Sequence, residues 1–394
     1  MVHSSENTGN MSTEDHSEAI RYCRHPDSMI KGNATELLVD GVTVYPAMLE
    51  AIASAKKTIV MESYIFNDDT AGREFSRALR ESAMRGVRVY LVVDGVGTLI
   101  VAAGFFEKMR QDGVHVLIYR PPAPWRRNFG LVRRNHRKLL VVDGKVGFLG
   151  GLNIGKEWLP RSEGGGGWHD IHLRVEGPAV RELTKLSIST WKVHGGLDLD
   201  TRLFLPRVQA AGTELVNIVG SRERKKRRAI RQSYLQAIKQ ARHYIYIANA
   251  YFLPDLGFRR ALKNSCQRGV DVKLMLPSKG DILPVQLASQ AHWGGLLRSG
   301  IRLFLLKHPL LHAKTAVIDD QWSTVGSFNI DHRSWRTNLE VNLNSIGPLL
   351  AKELKRVFEN DLDRCEELTL WRWKDRPPWV KASERFFFLF RKLM

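Results

Sequence analysis

The chain has 394 residues, 43 % of them hydrophobic, which suits a globular protein with room for two domains and excludes a fibrous or wholly disordered one. A formal net charge of +19 calls for a polyanionic partner: nucleic acid, an anionic membrane surface or a phosphorylated substrate. Three scattered cysteines, Cys23, Cys266 and Cys365, exclude a disulfide framework, lack zinc-ligand spacing and fit a reducing compartment.

Residues 1–33 begin polar and lack the basic and apolar regions of a signal peptide, so a disordered tail is expected there. From residue 34 the pattern turns regular. MLEAIASAKKTIVMESYIF (48–66) reads as a helix and then a strand. ALRESAMRGVRVYLVV (78–93) reads as a helix stopped at Gly86 and a second strand, with Phe75, Ala78, Leu79 and Ala83 forming a core-facing stripe. TLIVAAGFF (98–106) falls short of the ~18 apolar residues of a membrane span and is expected to be buried. PPAPWRRNFGLVRR (121–134) is basic and aromatic: a rim where lipid enters, or a solvated loop. NHRKLLVVDGKVGFLGGLN (135–153) predicts an antiparallel hairpin turning at Asp143-Gly144. In WHDIH (168–172), His169 and His172 have the i, i+3 spacing of a helical metal site, but HDIHLRV reads as a strand. Packed or hydrogen-bonding histidines are expected, and no metal.

The basic stretch GSRERKKRRAIRQS (220–233) reads as a solvated linker or helix face first and a phosphate contact second. Beyond it the chain repeats itself. YLQAIKQARHYIYIANAYF (234–252) parallels 48–66, and ALKNSCQRGVDVKLML (261–276), with its stop at Gly269, parallels 78–93. LHAKTAVIDDQWSTVGSFN (311–329) parallels 135–153: His136, Lys138, Asp143, Gly150 and Asn153 recur at the same offsets as His312, Lys314, Asp319, Gly326 and Asn329. The expected fold is therefore α/β, built as two similar halves at about 34–205 and 206–370 with mainly parallel sheets and antiparallel hairpins. The end, LWRWKDRPPWVKASERFFFLFRKLM (370–394), mixes Trp and Phe with Arg and Lys. Residues 371–394 are expected to lie at the interface of an anionic bilayer, the alternative being a tail folded onto the domain.

A His and a Lys two apart share one face of a strand. Alone the pair is usually a surface strand; two copies at identical spacing point to shared chemistry. One neutral imidazole can attack phosphorus and form a covalent phosphohistidine. A second can protonate the leaving alkoxide and deprotonate the next hydroxyl. Two ammonium groups and two amides can hold the non-bridging oxygens, so the chemistry requires no cofactor or metal.

The repeated H-x-K-x4-D-x6-G-[GS]-x-N resembles the phospholipase D superfamily, over about 36–345. HRKLLVVDGKVGFLGGLNIG, WHDIHLRVEGPAV (168–180), LHAKTAVIDDQWSTVGSFNID and NLEVN (338–342) look closest to bacterial cardiolipin synthases of that type. The resemblance implies two halves packed about a pseudo-twofold with one shared site. It implies that His136 is the nucleophile and His312 the general acid and base, an order the pseudo-symmetry could reverse. Lys138, Lys314, Asn153 and Asn329 would bind phosphate, with Ser327 donating a hydrogen bond; the first motif has Gly151 in its place. Asp170 and Glu340 would orient the histidines, since an acceptor on one ring nitrogen fixes the tautomer that frees the other. Asp143 and Asp319 belong to the catalytic motifs but, standing at the hairpin turns, would be more structural than chemical.

The implied function is phosphatidyl transfer between two phosphatidylglycerols, giving cardiolipin and glycerol, by a protein peripheral on the cytoplasmic face of a bacterial membrane. Phosphatidylethanolamine as donor stays open. A phospholipid hydrolase is the nearest alternative. A nuclease of the superfamily is also compatible with the charge, although the tail makes nucleic acid the less favoured partner. A catalytically dead binding protein would lack a motif His or Lys, and all four are present.

Overall fold

One mixed sheet runs through the molecule in the computed structural model, which describes residues 18–123, 132–195, 199–221 and 228–391. The first half supplies β1 (Ile30–Val39), β2 (Thr58–Ser63), β3 (Arg88–Asp94), β4 (His115–Tyr119), β5 (Leu139–Val142), β6 (Val146–Gly150) and β7 (Ile171–Glu176). The second supplies β8 (Glu214–Gly220), β9 (Tyr244–Asn249), β10 (Asp271–Pro277), β11 (Arg302–Leu306), β12 (Lys314–Ile318), β13 (Trp322–Gly326), β14 (Val341–Ile346) and β15 (Cys365–Leu368). Their order is β15-β11-β10-β9-β12-β13-β14-β8-β1-β7-β6-β5-β2-β3-β4. Outward from the antiparallel β1–β8 pair, β7-β6-β5-β2-β3-β4 on one side matches β14-β13-β12-β9-β10-β11 on the other. The duplicated sequence thus becomes a pseudo-twofold.

The sheet corrects one expectation. Among the described residues the ladders β2–β3, β3–β4, β9–β10 and β10–β11 are parallel, and the others are antiparallel. Helical crossovers such as Thr70–Met84 and Leu256–Gln267 make the parallel pairs, while the motif hairpins and their return strands β7 and β14 need only short connections. Both crossover helices stop as expected, at Gly86 (φ +90°) and Gly269 (φ +87°), where a side chain would be strained.

Each half has a core of its own, around Ile59, Phe75 and Phe148 in the first and Ile247, Phe258 and Trp322 in the second. A further cluster joins Leu139, Leu173 and Leu183 to Tyr246, Leu343 and Phe358, so apolar packing fixes the halves to each other. Residues 18–33 are structured, unlike the expected tail: Tyr22 is buried against the second core and its hydroxyl donates to Asp319 Oδ2 at 2.7 Å. The apolar run at 98–106 also departs in part from expectation, since Leu99 and Ile100 are exposed, while Phe106 is buried in the core and Val101 and Phe105 pack part-buried against it. The tail forms the helices Leu370–Lys374 and Pro378–Leu389. Trp373 packs beside Trp293 and Phe388 beside His292, whereas Trp371, Trp379, Phe386 and Leu389 remain exposed. Among the described residues no helix is long and apolar enough to cross a membrane.

Candidate active site

The two motif hairpins aim their ends in opposite directions. At the turn end, Asp143 (φ +52°) and Gly144 (φ +63°) adopt the left-handed conformation of a tight hairpin, as do Asp319 and Asp320 in the second half. The Asp143 carboxylate accepts backbone N–H bonds from Lys56, Lys57 and Thr58 at 2.9, 2.7 and 2.8 Å. Asp319 does the same for Arg242, His243 and Tyr244 at 2.7, 2.9 and 2.7 Å. Both aspartates pin the hairpin to the loop entering the neighbouring strand, one strand length away from the motif lysines, which is a structural task.

The other ends converge. His136 and His312 are buried and line one cavity of about 190 Å³ with Asn153, Asn329, Tyr64 and Tyr251. Each histidine is held by a carboxylate from the opposite half. Glu340, just before β14, puts both oxygens 3.1 Å from His136 Nδ1. Asp170, just before β7, puts Oδ2 2.5 Å from His312 Nδ1. The exchange follows from backbone crossings: His136 N–H donates to Leu339 O at 2.9 Å and His312 N–H to His169 O at 2.7 Å. With Nδ1 committed to a carboxylate, Nε2 is the nitrogen free to act.

The electrostatics of the two pairs differ. Burial lifts the Glu340 carboxyl to about 7, against the pull of Lys138 and Ser327. Asp170 is equally buried, but Lys314 and His312 outweigh the burial and hold its carboxyl below the usual range. Burial, then Lys138 and Lys314, keep His136 well below its ordinary value, so its imidazole is neutral and nucleophilic at pH 7. Burial and Lys314 lower His312 too, while the ionised Asp170 favours its protonated form. Both lysines lie behind the histidines. Lys138 Nζ donates to His136 O at 2.8 Å, and Lys314 Nζ lies 2.9 Å from His312 Nδ1 and also meets His312 O. Burial lowers the Lys314 ammonium to about 8 and also holds that of Lys138 well below its ordinary value.

The asparagines sit at the cavity wall. Asn153 Oδ1 accepts from Ile65 N–H at 3.1 Å, which leaves the amide N–H groups for a ligand. Asn329 Oδ1 is buried without a hydrogen-bond partner among the described residues. Trp158 and Trp168, with ring centroids 5.3 and 5.5 Å from the His312 ring, form an apolar wall that the sequence reading did not assign. Nor did it assign Tyr64, 5.1 Å from the His136 ring; its only signal was an aromatic pair just after β2, Tyr64 and Phe66, that returns after β9 as Tyr251 and Phe252 with a different spacing. The expected basic rim at 121–134 lies largely outside the described residues, but Arg134 is buried and donates to Asp94 at 3.3 Å.

The Gly151-for-Ser327 difference has a steric cause. Ser327 Oγ donates to Glu340 Oε2 at 2.5 Å. The corresponding donor to Asp170 is Trp158 Nε1, at 3.0 Å, and a Cβ on Gly151 would collide with that carboxylate. Gly151→Ser is therefore expected to push Asp170 off His312 and lower turnover by about 10²-fold, since displacements near 1 Å in a catalytic group cost that much. Steady-state kinetics beside a thermal melt check it: a wild-type rate in the folded variant would refute the steric reading.

His169 ties the two halves together. Its Nδ1 meets Asp40 Oδ1 and its Nε2 meets Asp361 Oδ2, both at 2.8 Å, and among the described residues no cluster of His, Cys, Asp or Glu is placed to hold a metal. Burial opposes a charge here, but Asp361 and Asp40 prevail and raise the imidazole from 6.5 to about 9. A raised folded value stabilises the protein fully below the unfolded pKa, and the contribution disappears as pH climbs through the folded one. His169 is thus expected to add up to about 3 kcal/mol at pH 6, lost between about pH 6.5 and 9. Urea denaturation of wild type and His169→Gln across that window measures it; parallel pH profiles would show that the tie is not charged. His172 is buried, and burial lowers it to about 4.

The comparisons with known proteins agree with this geometry. The family described as "Cardiolipin synthase, PLD-like domain" matches residues 48–163 and 234–362, one match per half. A cardiolipin synthase of Listeria innocua is 34 % identical over 359 residues, covering 90 % of this chain and 74 % of that protein. The major cardiolipin synthase of Bacillus subtilis is 33 % identical over 355 residues, covering 89 % of this chain and 73 % of its own length. Among solved structures, phosphatidylserine synthase of Haemophilus influenzae superposes with a TM-score of 0.69 at 16 % identity, over 91 % of this chain and 95 % of that one, which establishes the common fold. Two matching halves, each with an intact His-Lys-Asn motif, and this identity across nine-tenths of the sequence place the chain in the PLD-like-domain cardiolipin synthase family.

Proposed function

We propose that the chain transfers a phosphatidyl group from one phosphatidylglycerol to the glycerol hydroxyl of another, giving cardiolipin and glycerol. The halves at about 34–205 and 206–370 contribute one histidine each. The observation that carries the reading is the crossed pairing: both histidines face one cavity, each with Nδ1 on a carboxylate of the opposite half.

His136 Nε2 attacks the donor phosphorus. The P–O bond to glycerol breaks, and the departing alkoxide takes a proton from His312. Asn153 and Asn329, at the cavity wall, hold the phosphate oxygens, and Lys138 and Lys314, just behind the histidines, complete the phosphate-binding set when the substrate draws their ammonium groups toward its charge. The substrate's own negative charge favours the protonated His312 that this step needs. The hydroxyl of the second phosphatidylglycerol then gives its proton to His312 and attacks the phosphatidyl-His136. The P–N bond breaks, cardiolipin leaves and both histidines are restored. Trp158 and Trp168 beside His312 exclude water from the acceptor position and so favour transfer over hydrolysis.

The exposed Trp371, Trp379, Phe386 and Leu389, interspersed with Arg372, Lys374, Lys381 and Arg385, support peripheral binding to an anionic membrane, on the cytoplasmic face. The test is incubation with phosphatidylglycerol liposomes in EDTA, with products identified by mass spectrometry. Cardiolipin and glycerol, absent with His136→Ala or His312→Ala, are the expected products. Phosphatidic acid alone would mean a hydrolase, and no lipid product with DNA cleaved would mean a nuclease.

A further inference from the structure

A second cavity, of about 480 Å³, lies outside the catalytic one, between the helices Leu256–Gln267, His332–Arg336 and Pro378–Leu389. Arg228, Arg231, Arg259, Arg336 and Arg391 line it, against a single carboxylate, Asp255. That carboxylate is already engaged: Arg231 meets it at 2.7 Å, and it caps the helix by accepting from Phe258 N–H at 2.8 Å. Arg259 and Arg391 make no ion pair with a carboxylate among the described residues. Arg259 Nη1 lies 3.0 Å from His292 Nδ1, and its Nε is buried without a partner. Arg391 donates to Phe388 O at 3.2 Å and lies over the Phe388 ring at 4.2 Å. His292 reports the resulting field: burial, then Arg259 and Arg391, push its imidazole down to about 4.

Half-buried guanidinium groups such as Arg259 and Arg391, without an ion pair among the described residues, favour a bound anion. The rest of the lining is in part apolar, with Trp335 and Phe388. The helix that supplies Phe388 also exposes Trp379, Phe386 and Leu389, the side chains expected to enter a bilayer. We propose that this pocket binds the phosphate of an anionic phospholipid headgroup, as a second phosphate site separate from the catalytic cavity. It ties the C-terminal helix to the bilayer. The helix His332–Arg336 lies between the two cavities, with Trp335 in the second and Arg333 in the first, so a headgroup bound here sets the catalytic mouth against the membrane surface.

The inference goes beyond the transfer reaction, and binding rather than turnover tests it, so the two can fail separately. The full chain carrying His312→Ala, which stops turnover, is sedimented with phosphatidylcholine vesicles with and without phosphatidylglycerol. Arg259→Gln with Arg391→Gln is expected to weaken binding to the anionic vesicles by about tenfold. Arg260→Gln with Lys263→Gln removes the same charge from the exposed side of the helix Leu256–Gln267 and is expected to cost about threefold or less. Thermal melts of the lipid-free chains, with and without inorganic phosphate, form the second arm and show that the variants fold; Arg391→Gln alone replaces the pair if it does not. A pocket-specific loss on vesicles assigns the site to lipid. A phosphate-induced rise in melting temperature that the pocket pair abolishes, with equal vesicle binding by both pairs, assigns it to soluble phosphate. Equal losses from both pairs and no phosphate effect would overturn it.

Discussion

With phosphatidyl-p-nitrophenol as donor, the His312→Ala enzyme is expected to release one p-nitrophenolate per active site and then stall. That leaving group departs without a proton, so the first displacement no longer needs a general acid. His136 remains, with Nδ1 still on Glu340 at 3.1 Å and its imidazole neutral, and it can attack. The second displacement needs a base on the acceptor hydroxyl, and its loss slows that step by about 10²–10⁴-fold. His136→Ala should give no burst with the same substrate. Rapid-mixing absorbance measurements separate the cases. A burst from His136→Ala and none from His312→Ala would exchange the two roles, which the pseudo-twofold permits on symmetry alone.

Replacing either orienting carboxylate by its amide should cost about 10³–10⁴-fold in turnover of phosphatidylglycerol, the scale seen when a catalytic imidazole loses its correct tautomer. The two substitutions should differ in which step they slow. Asp170→Asn acts on His312, through the contact of 2.5 Å, so the burst should survive and the following phase should slow. Glu340→Gln acts on His136, so the burst itself should slow. Crossed pairing also makes each effect act across the halves: a first-half residue limits the second-half histidine, and the reverse. If Asp170→Asn slowed the burst and Glu340→Gln spared it, the pairing would be functionally uncrossed.

Much of this site was legible before the fold was known, because a motif of fixed spacing repeats in the sequence. His136, Lys138 and Asn153 need only one hairpin to come together, and the hairpin announces itself at Asp143-Gly144. What stayed hidden depends on long-range geometry. His136 meets Glu340 across 204 residues and His312 meets Asp170 across 142, and no local pattern says which carboxylate serves which ring. Trp158 was invisible for the same reason: its indole N–H substitutes for the hydroxyl that Gly151 lacks. Strand direction was misjudged because β-forming runs show where strands lie, not how they pair. Tyr22 was lost in the supposed tail because one aromatic residue among polar ones carries no periodicity.

The most direct measurement is to trap the intermediate. Wild-type enzyme turning over phosphatidylglycerol is quenched within milliseconds in alkaline denaturant, which spares the acid-labile P–N bond, then digested and mapped by mass spectrometry. The expected result is a phosphatidyl adduct on the peptide containing His136 and none on the peptide containing His312. An adduct on His312, or steady formation of cardiolipin with no adduct on either histidine, would contradict double displacement through His136.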